Sequence, residues 1–323
     1  MRSVEVELKL SVKTDLFVKT KVIAAVRNRL FQLPNHYTSP QHLTNIYFET
    51  PDNQLRRWDM GLRIRGFGEQ YEMTMKTAGK VIAGLHQRPE FNVPLQQPKL
   101  DLARFPADIW PEKSNLAQLQ ADLAEMFSTN FSREKWLVTY GLNEKNQSEI
   151  EVVLDQGEIR SGEKSSPICE FELELKTGQI SDVLALADEL ALQGGLRLEN
   201  KSKAARGYAL VKGKLSTELT QLSEITQEQQ PLSVLLTHIL HQWQEQEERW
   251  LAGISTGKTE LAQVLACAEM VVDKQEKTAP ALILLPALKE ALSATDADAQ
   301  EVCYRTEWLQ CKLALTQWLI AHH

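Results

Sequence analysis

Charged side chains alternate with apolar ones at the beginning of the chain. Residues 4–10 have the sequence VEVELKL, in which Glu5, Glu7 and Lys9 are separated by single valine and leucine residues. A β-strand points successive side chains to opposite faces, so this spacing predicts a strand with its three charges on one face. A single strand of this kind is commonly one whose charged face contacts solvent.

The same alternation recurs through the first two thirds of the chain, which makes a shared chemical role the stronger interpretation. In most of these segments the opposite face is apolar and has to be covered by other elements. The further charged faces are formed by Arg63 and Arg65; by Glu72, Thr74 and Lys76; by Arg88 and Glu90; by Arg133 and Lys135; by Glu149, Glu151 and Asp155; and by Glu170, Glu172 and Glu174.

Charged faces on many strands favour a closed sheet, with the charges pointing inward and the apolar side facing helices. Like charges can be buried there only if partners, metal or substrate neutralise them. Carboxylates are ligands for Mg²⁺ and Mn²⁺, and Arg and Lys bind phosphate oxygens. The interior is therefore predicted to hold a complex of a divalent metal with a polyphosphate. The alternative is a surface sheet whose charges form salt bridges.

Eight segments with the composition of strands would position these charges. They are Glu5–Val12, His42–Glu49, Leu62–Gly66, Tyr71–Thr77, Leu85–Val93, Phe131–Tyr140, Ile150–Leu154 and Ile168–Lys176. Amphipathic helices are predicted at Phe17–Phe31, Asn115–Phe127 and Asp182–Gln193, where they could cover the apolar face. This pattern does not fix the strand order and is typical of either a barrel or a large mixed sheet.

After about residue 210 the hydrophobic periodicity becomes helical. Residues 211–230 are polar and rich in Thr, Glu and Gln, which indicates a linker. The pattern beyond it predicts an antiparallel bundle. Its helices are Leu232–Ile254, Thr259–Val272, Pro280–Ser293 and Ala299–His322. The predicted organisation is thus an α+β domain at residues 1–210, the linker, and a helical domain at residues 231–323.

The composition is that of a globular protein with an acidic balance. The 323 residues are 43% hydrophobic and 24% charged, with a formal net charge of −7. That balance argues against a general nucleic-acid or anionic-membrane partner. No apolar stretch has the length of a membrane span and no signal sequence is evident, so a cytoplasmic protein is expected. A polyanionic substrate stays compatible with the charge, because a local basic pocket or bound metal can reverse the sign.

Six motifs, in order along the chain, resemble those of the CYTH, or triphosphate tunnel metalloenzyme, family. The first is the ExExK pattern that begins at Glu5. The others are the segments LRIR at 62–65, MTMK at 73–76, LDQG at 154–157, EFELE at 170–174 and SKAARG at 202–207. The resemblance covers residues 1 to about 210. Residues 231–323 resemble only the beginning of a helical CHAD domain, which follows the CYTH domain in bacterial members of the family.

The resemblance implies an eight-stranded antiparallel β-barrel that forms a tunnel with flanking helices. It also implies Mg²⁺ or Mn²⁺ as cofactor, and hydrolysis of inorganic triphosphate to pyrophosphate and phosphate. CHAD domains are associated with polyphosphate, so longer polyphosphate is a further expected ligand.

Roles for individual residues follow from the resemblance together with the charged faces. The expected metal ligands are Glu5, Glu7, Glu170, Glu172, Glu174 and Asp155. The expected substrate-binding residues are Lys9, Arg63, Arg65, Lys76, Arg88, Arg133 and Lys203. Catalysis is expected to depend on Glu5, Glu7, Lys9 and Lys76. Arg206 is interpreted as a structural contact.

Two other functions stay open on the sequence alone. Relatives within the family include adenylyl cyclases and thiamine triphosphatases; a thiamine triphosphatase would need an aromatic clamp, for which Trp58, Phe67 and Tyr71 are weak candidates. Alternatively, the tunnel could bind polyphosphate without turnover, as a sensor or scaffold. The complete set of carboxylates favours an enzyme over such a binding module.

Overall fold

The computed structural model describes residues 2–82, 85–141, 146–212, 231–275 and 280–321. Ten strands in this part of the chain form one antiparallel sheet, in the order β10-β1-β9-β8-β7-β2-β3-β4-β6-β5. The strands are β1 (Arg2–Val12), β2 (Asn35–Glu49), β3 (Gly61–Phe67), β4 (Gln70–Lys76), β5 (Lys80–Ile82), β6 (Leu85–Leu95), β7 (Ala124–Tyr140), β8 (Ser148–Ser161), β9 (Lys164–Thr177) and β10 (Leu196–Leu198).

Pairing between β1 and β6 closes eight of these strands into a barrel. The closing register aligns Arg2 with Phe91 and Leu8 with Leu85. The short strands β5 and β10 lie outside the ring, where they extend the sheet beside β6 and β1. The eight predicted strands are therefore confirmed, as is the closed antiparallel barrel.

The outward face of the barrel is packed against helices. Asp15 caps the N-terminus of helix α1 (Leu16–Gln32), where its carboxylate accepts a hydrogen bond from the backbone N–H of Val18. Helix α4 (Ile180–Ala191) covers the same side. Leu8 and Leu10 on β1 are fully buried in this core. Because side chains alternate along a strand, burying these leucines outside the barrel directs the charged residues between them inward.

Three short helices lie between or after the strands: α2 (Gln54–Arg57), α3 (Leu116–Asp122) and α5 (Lys203–Lys212). The helix predicted at Asn115–Phe127 is wrong beyond residue 122, because β7 already begins at Ala124. Phe127 stacks on Tyr47 of β2 with ring centroids 4.6 Å apart. This cross-strand contact overrides the local helical pattern.

The remaining helices are α6 (Leu232–Leu251), α7 (Thr256–Gln275), α8 (Pro280–Ser293), α9 (Ala299–Cys303) and α10 (Thr306–Ala321). The predicted last helix is thus divided in two between Cys303 and Thr306. Helix α5 extends to Lys212, and residues 213–230 of the predicted linker lie outside the described residues. Within the described residues, no helix combines the length and the apolar content that crossing a membrane requires.

Helix α10 contributes to two hydrophobic cores. Leu309 and Leu313 pack into the core that flanks the barrel. Trp308 and Leu315 pack into the core of the helical segment. The division at residues 1–210 and 231–323 stays a prediction.

A buried ion-pair network also joins the helices to the barrel. Lys312 of α10 and Glu247 of α6 are both fully buried, with Nζ 2.6 and 2.8 Å from the two carboxylate oxygens. The same carboxylate accepts hydrogen bonds from Trp308 and, at 3.4 Å, from Arg197 on β10. Glu247 therefore connects α6, α10 and the strand that pairs with β1.

We expect Lys312→Met to destabilise the protein by about 3–5 kcal/mol, because it leaves the Glu247 carboxylate buried without its ammonium partner. Urea denaturation monitored by tryptophan fluorescence measures this, since Trp243 and Trp308 lie in the same core. Lys289→Met is the matched control, since Lys289 pairs with Glu269 at 2.6 Å on the surface. Its expected cost is about 0–1 kcal/mol. Equal losses in the two variants would contradict the buried-pair explanation.

Candidate active site

The inside of the barrel contains a cavity of about 320 Å³. Among the described residues, eight basic and seven acidic side chains line it. The basic ones are Lys9, Arg63, Arg65, Lys76, Arg88, Arg133, Lys176 and Lys203. The acidic ones are Glu5, Glu7, Glu72, Glu90, Glu151, Glu172 and Glu174. The predicted inward orientation is therefore confirmed for most of the charges, and a surface sheet with salt bridges is excluded. The exceptions, which do not line the cavity, are Lys135, Glu149, Asp155 and Glu170.

Lys9 joins the first strand to β9. Its Nζ lies 2.7 Å from Glu7 Oε1 and 2.7 Å from Glu172 Oε1, and all three side chains are almost fully buried. Burial alone would raise the pKa of Glu7, but the charges of Lys9 and Lys76 outweigh it and lower that pKa. Lys9 is stabilised as an ammonium in return, since Glu172 and Glu7 raise its pKa against the effect of burial. The three groups are therefore charged at neutral pH.

Lys76 of β4 is the cationic neighbour of Glu5, as Lys9 is of Glu7. It is paired with Glu5 and lies 3.1 Å from Glu90. Burial raises the pKa of Glu5 to about 7, with contributions from Glu7 and Glu90, although Lys76 opposes the rise. Burial would lower the pKa of Lys76, but Glu5, Glu7 and Glu90 raise it to about 12. The ionisation of Glu5 near neutral pH therefore depends on its cationic neighbours Lys76 and Lys9, which oppose the effect of burial on its pKa.

Three of the four arginines that line the cavity lie on β3 and β7. Arg133 makes a bidentate pair with Asp155, at 2.7 and 2.6 Å, and lies 2.8 Å from Glu172. Arg63 lies 3.7 Å from Glu90. Arg65 donates to the Asn45 side chain at 2.9 Å and has no ion-pair partner among the residues the structure describes.

The electrostatic setting of Arg65 therefore differs from that of the other cations. Burial lowers its pKa to about 10, and the nearby charges of Arg63 and Arg133 add to the effect. An anion bound beside Arg65 would supply the negative charge that its surroundings lack.

Lys203, at the beginning of α5, draws three carboxylates together. Its Nζ lies 2.5 Å from Asp155, 2.5 Å from Glu170 and 3.0 Å from Glu172. These carboxylates are close enough to one another to chelate a metal ion. The ammonium already lies among them, however, and neither Asp155 nor Glu170 lines the cavity. Arg206 also pairs with Glu170, at 3.0 Å.

A close approach of backbone to an aromatic ring fixes α5 in place. A Cβ atom on Gly207 would lie 2.1 Å from Cε2 of Phe127, so no larger residue fits without movement of the helix or of the ring. One residue on, the Tyr208 hydroxyl donates to Glu49 at 2.8 Å. The position of Lys203 therefore depends on the fit of α5 against β7 and β2.

Several lining residues received no role from the sequence. The sequence pattern puts Glu90 on a charged face but indicates no function for it. Lys176 follows Glu174 by two residues, and this spacing indicates that the two side chains share a face. His86 is paired in register with Glu7 across β1 and β6. Burial lowers the pKa of His86 to about 4, and Lys9 contributes, so its imidazole is neutral at physiological pH.

Every predicted substrate-binding residue lines the cavity, whereas the predicted metal ligands divide into two groups. Glu5, Glu7, Glu172 and Glu174 line the cavity; Asp155 and Glu170 lie behind Lys203. The first group offers carboxylate oxygens, which are the ligands that Mg²⁺ and Mn²⁺ prefer. The donor set of the cavity therefore fits a divalent cation.

A closed antiparallel barrel with carboxylates and cations on its inner walls defines a tunnel protein with a charged interior. Residues 3–208 match the model of the CYTH domain, and the chain belongs to that family. A structural likeness was found to a Hippeastrum protein that was proposed as an adenylyl cyclase and has a dominant triphosphatase activity. The two chains are 17% identical, the match covers 66% of this chain and 97% of that chain, and the TM-score is 0.45. A second likeness was found to the PH1819 protein of Pyrococcus horikoshii. The two chains are 20% identical, the match covers 61% of this chain and 94% of that chain, and the TM-score is 0.38.

An inorganic triphosphatase of Haemophilus influenzae is 36% identical over 207 residues, which are 64% of this chain and 54% of that protein. The chain thus spans about half the length of this curated relative.

We expect Lys203→Met to lower the thermal stability, and to do so more at about pH 8 than at about pH 5. Burial already raises the pKa of Glu170, and removing the ammonium raises it further. A carboxyl whose pKa is raised in the folded state favours folding at low pH, and this contribution is lost as the pH rises through the folded value. Melting temperatures in EDTA across that range measure the effect.

Lys203→Met combined with Glu170→Gln is the control for this prediction, because the amide cannot ionise. We expect the double variant to lose much of the added pH dependence. A stability loss in Lys203→Met that is the same at both pH values would contradict the role assigned to the buried carboxylates.

Proposed function

We propose that the chain hydrolyses inorganic triphosphate to pyrophosphate and phosphate inside the barrel, with the help of a divalent metal ion. The observation that carries the proposal is the cavity itself, where carboxylates and cations from different strands face one another in a closed space. Membership of the CYTH family and similarity to the Haemophilus influenzae triphosphatase support it.

In this proposal, the cavity carboxylates Glu5, Glu7, Glu172 and Glu174 hold Mg²⁺ or Mn²⁺. The bound ion would neutralise phosphate charge and lower the pKa of a coordinated water. Asp155 and Glu170 act instead as buried counterions, because their oxygens are paired with Lys203, Arg133 and Arg206. Their role is to hold two cations at the wall of the cavity.

The basic residues bind the phosphate chain and stabilise the negative charge that develops on the leaving pyrophosphate. Arg65 is the first expected anchor, because no carboxylate is paired with it in the part of the chain that the structure describes. Lys9 and Lys76 are paired with the expected metal ligands Glu7 and Glu5. A metal ion held by these carboxylates would leave both ammonium groups available to phosphate oxygens. Arg63, Arg88, Arg133 and Lys203 complete the substrate-binding set in this proposal.

The lining favours inorganic triphosphate over a nucleoside or thiamine triphosphate. The aromatic candidates Trp58, Phe67 and Tyr71 do not line the cavity. The aromatic side chains that do line it, Tyr47 and Phe131, lie in a pocket otherwise formed mainly by charges. A substrate made only of phosphate groups uses these charges fully, whereas an organic base would leave some of them unpaired.

The first experiment is phosphate release from triphosphate with Mg²⁺, Mn²⁺ or EDTA, by the wild type and by Glu5→Gln/Glu7→Gln. We expect metal-dependent release that falls on the order of 100-fold or more in the variant, because two carboxylates that hold the ion are lost. ATP and thiamine triphosphate should be poorer substrates. Tight polyphosphate binding without phosphate release at saturating metal would favour a binding module and contradict the enzyme proposal.

Arg65→Met tests the anchor for the substrate. We expect the KM for triphosphate to rise roughly 10- to 100-fold, corresponding to the loss of a charged hydrogen bond of about 1.5–3 kcal/mol. Arg160→Met is the matched control, because Arg160 is 59% exposed and paired with Glu158 outside the cavity. Steady-state kinetics at saturating metal distinguish the two. An unchanged KM in Arg65→Met would remove Arg65 from the binding site.

A further inference from the structure

A cross-strand row inside the barrel combines one imidazole with three carboxylates. Glu7 on β1 is in register with His86 on β6 and with Glu174 on β9, and Glu174 is in register with Glu151 on β8. All four side chains line the cavity. Residues directly opposite one another on antiparallel strands have Cβ atoms roughly 4.5–5.5 Å apart. His86 and Glu7 are therefore close enough to act on one ligand.

His86 is buried without a complete set of hydrogen bonds. Its side chain is 6% exposed, and its Nε2 atom has no hydrogen-bond partner among the described residues. Leaving a buried polar atom unpaired costs about 1–3 kcal/mol, so such an atom calls for a partner. Because the imidazole lines the cavity, a ligand bound there can supply that partner.

The two neighbours of Glu7 in this row differ in what they offer an ion. The Glu174 carboxylate is shared with Lys176, whose Nζ lies 2.7 Å away. The Nε2 atom of His86, by contrast, has no partner among the described residues, and imidazole is a common metal ligand. It therefore adds a nitrogen donor to a set of carboxylates.

We propose that His86 contributes a nitrogen ligand to the divalent ion held by Glu7, and that this ligand favours Mn²⁺ over Mg²⁺. The inference deepens the proposed function and depends on it for the presence of an ion in the tunnel. Mg²⁺ strongly prefers oxygen ligands and gives up its water reluctantly. Mn²⁺ binds nitrogen more weakly than the later transition metals do, but it accepts an imidazole ligand more readily than Mg²⁺. A single histidine thus sets the metal preference of an otherwise all-carboxylate site.

Pulsed electron paramagnetic resonance of the full chain with substoichiometric Mn²⁺ tests this directly. We expect nuclear modulation from a coordinated ¹⁴N, and its replacement by the ¹⁵N pattern when only histidine is labelled with ¹⁵N. That labelling separates the imidazole from lysine nitrogens such as Lys9. The wild-type measurement needs no variant and no turnover, so a folding defect cannot obscure it.

His86→Gln should remove the modulation and lower the ratio of Mn²⁺ to Mg²⁺ affinity at least roughly tenfold, as measured by isothermal titration. His42→Gln is the matched control, because His42 is exposed on β2, and it should leave both quantities unchanged.

Two results would overturn the role of His86 without affecting the proposed function. One is Mn²⁺ that is bound through Glu7 but shows no nitrogen modulation, and the other is nitrogen modulation that persists in His86→Gln. Both would leave the proposed triphosphatase intact. Absence of Mn²⁺ binding together with absence of phosphate release would instead overturn the proposed function and the inference with it.

Discussion

The structure depends on one constraint, which is that a charge buried inside a closed barrel is costly unless an opposite charge lies close to it. Lys203 shows how strict the constraint is, because its single ammonium lies within 3.0 Å of Asp155, Glu170 and Glu172. Separating any of these groups from its partners would leave a charge buried without compensation, at a cost of several kcal/mol. The barrel closure, the position of α5 and the order of charges along β1 and β9 therefore have to agree with one another.

The same constraint explains how a cavity full of paired charges can still bind a ligand. A divalent cation can replace Lys9 and Lys76 as the partner of their carboxylates, and a polyphosphate can replace the carboxylates as the partner of the two ammonium groups. The exchange leaves none of these charges unpaired. The interior is preorganised, because its groups are already desolvated and held by strands. Arg65, which lacks a carboxylate among the described residues, biases the exchange toward anion binding.

Much of this arrangement follows from local pattern, and the rest does not. Two-residue alternation is a local signal, so all eight barrel strands and the inward charges at Glu5, Glu7, Arg63 and Glu172 could be predicted. The short strand β10, the helix α5 and the beginning of β7 at Ala124 depend on long-range pairing and were missed. Alternation also could not separate Glu170 from Glu172, since they share a face. Only the approach of α5 buries Glu170 behind Lys203.

Closure of the barrel by β1 and β6 also determines which side chains can reach the expected metal. Before closure, His86 is one isolated histidine 79 positions from Glu7, and no spacing rule connects them. The register of the closing pair places them opposite each other, while β9 adds Glu174 on the other side of Glu7. A shift of one residue in that register would turn His86 out of the cavity and Leu85 into it. Leu85 is 1% exposed in the outer core, so apolar packing outside the barrel fixes the donor set inside it.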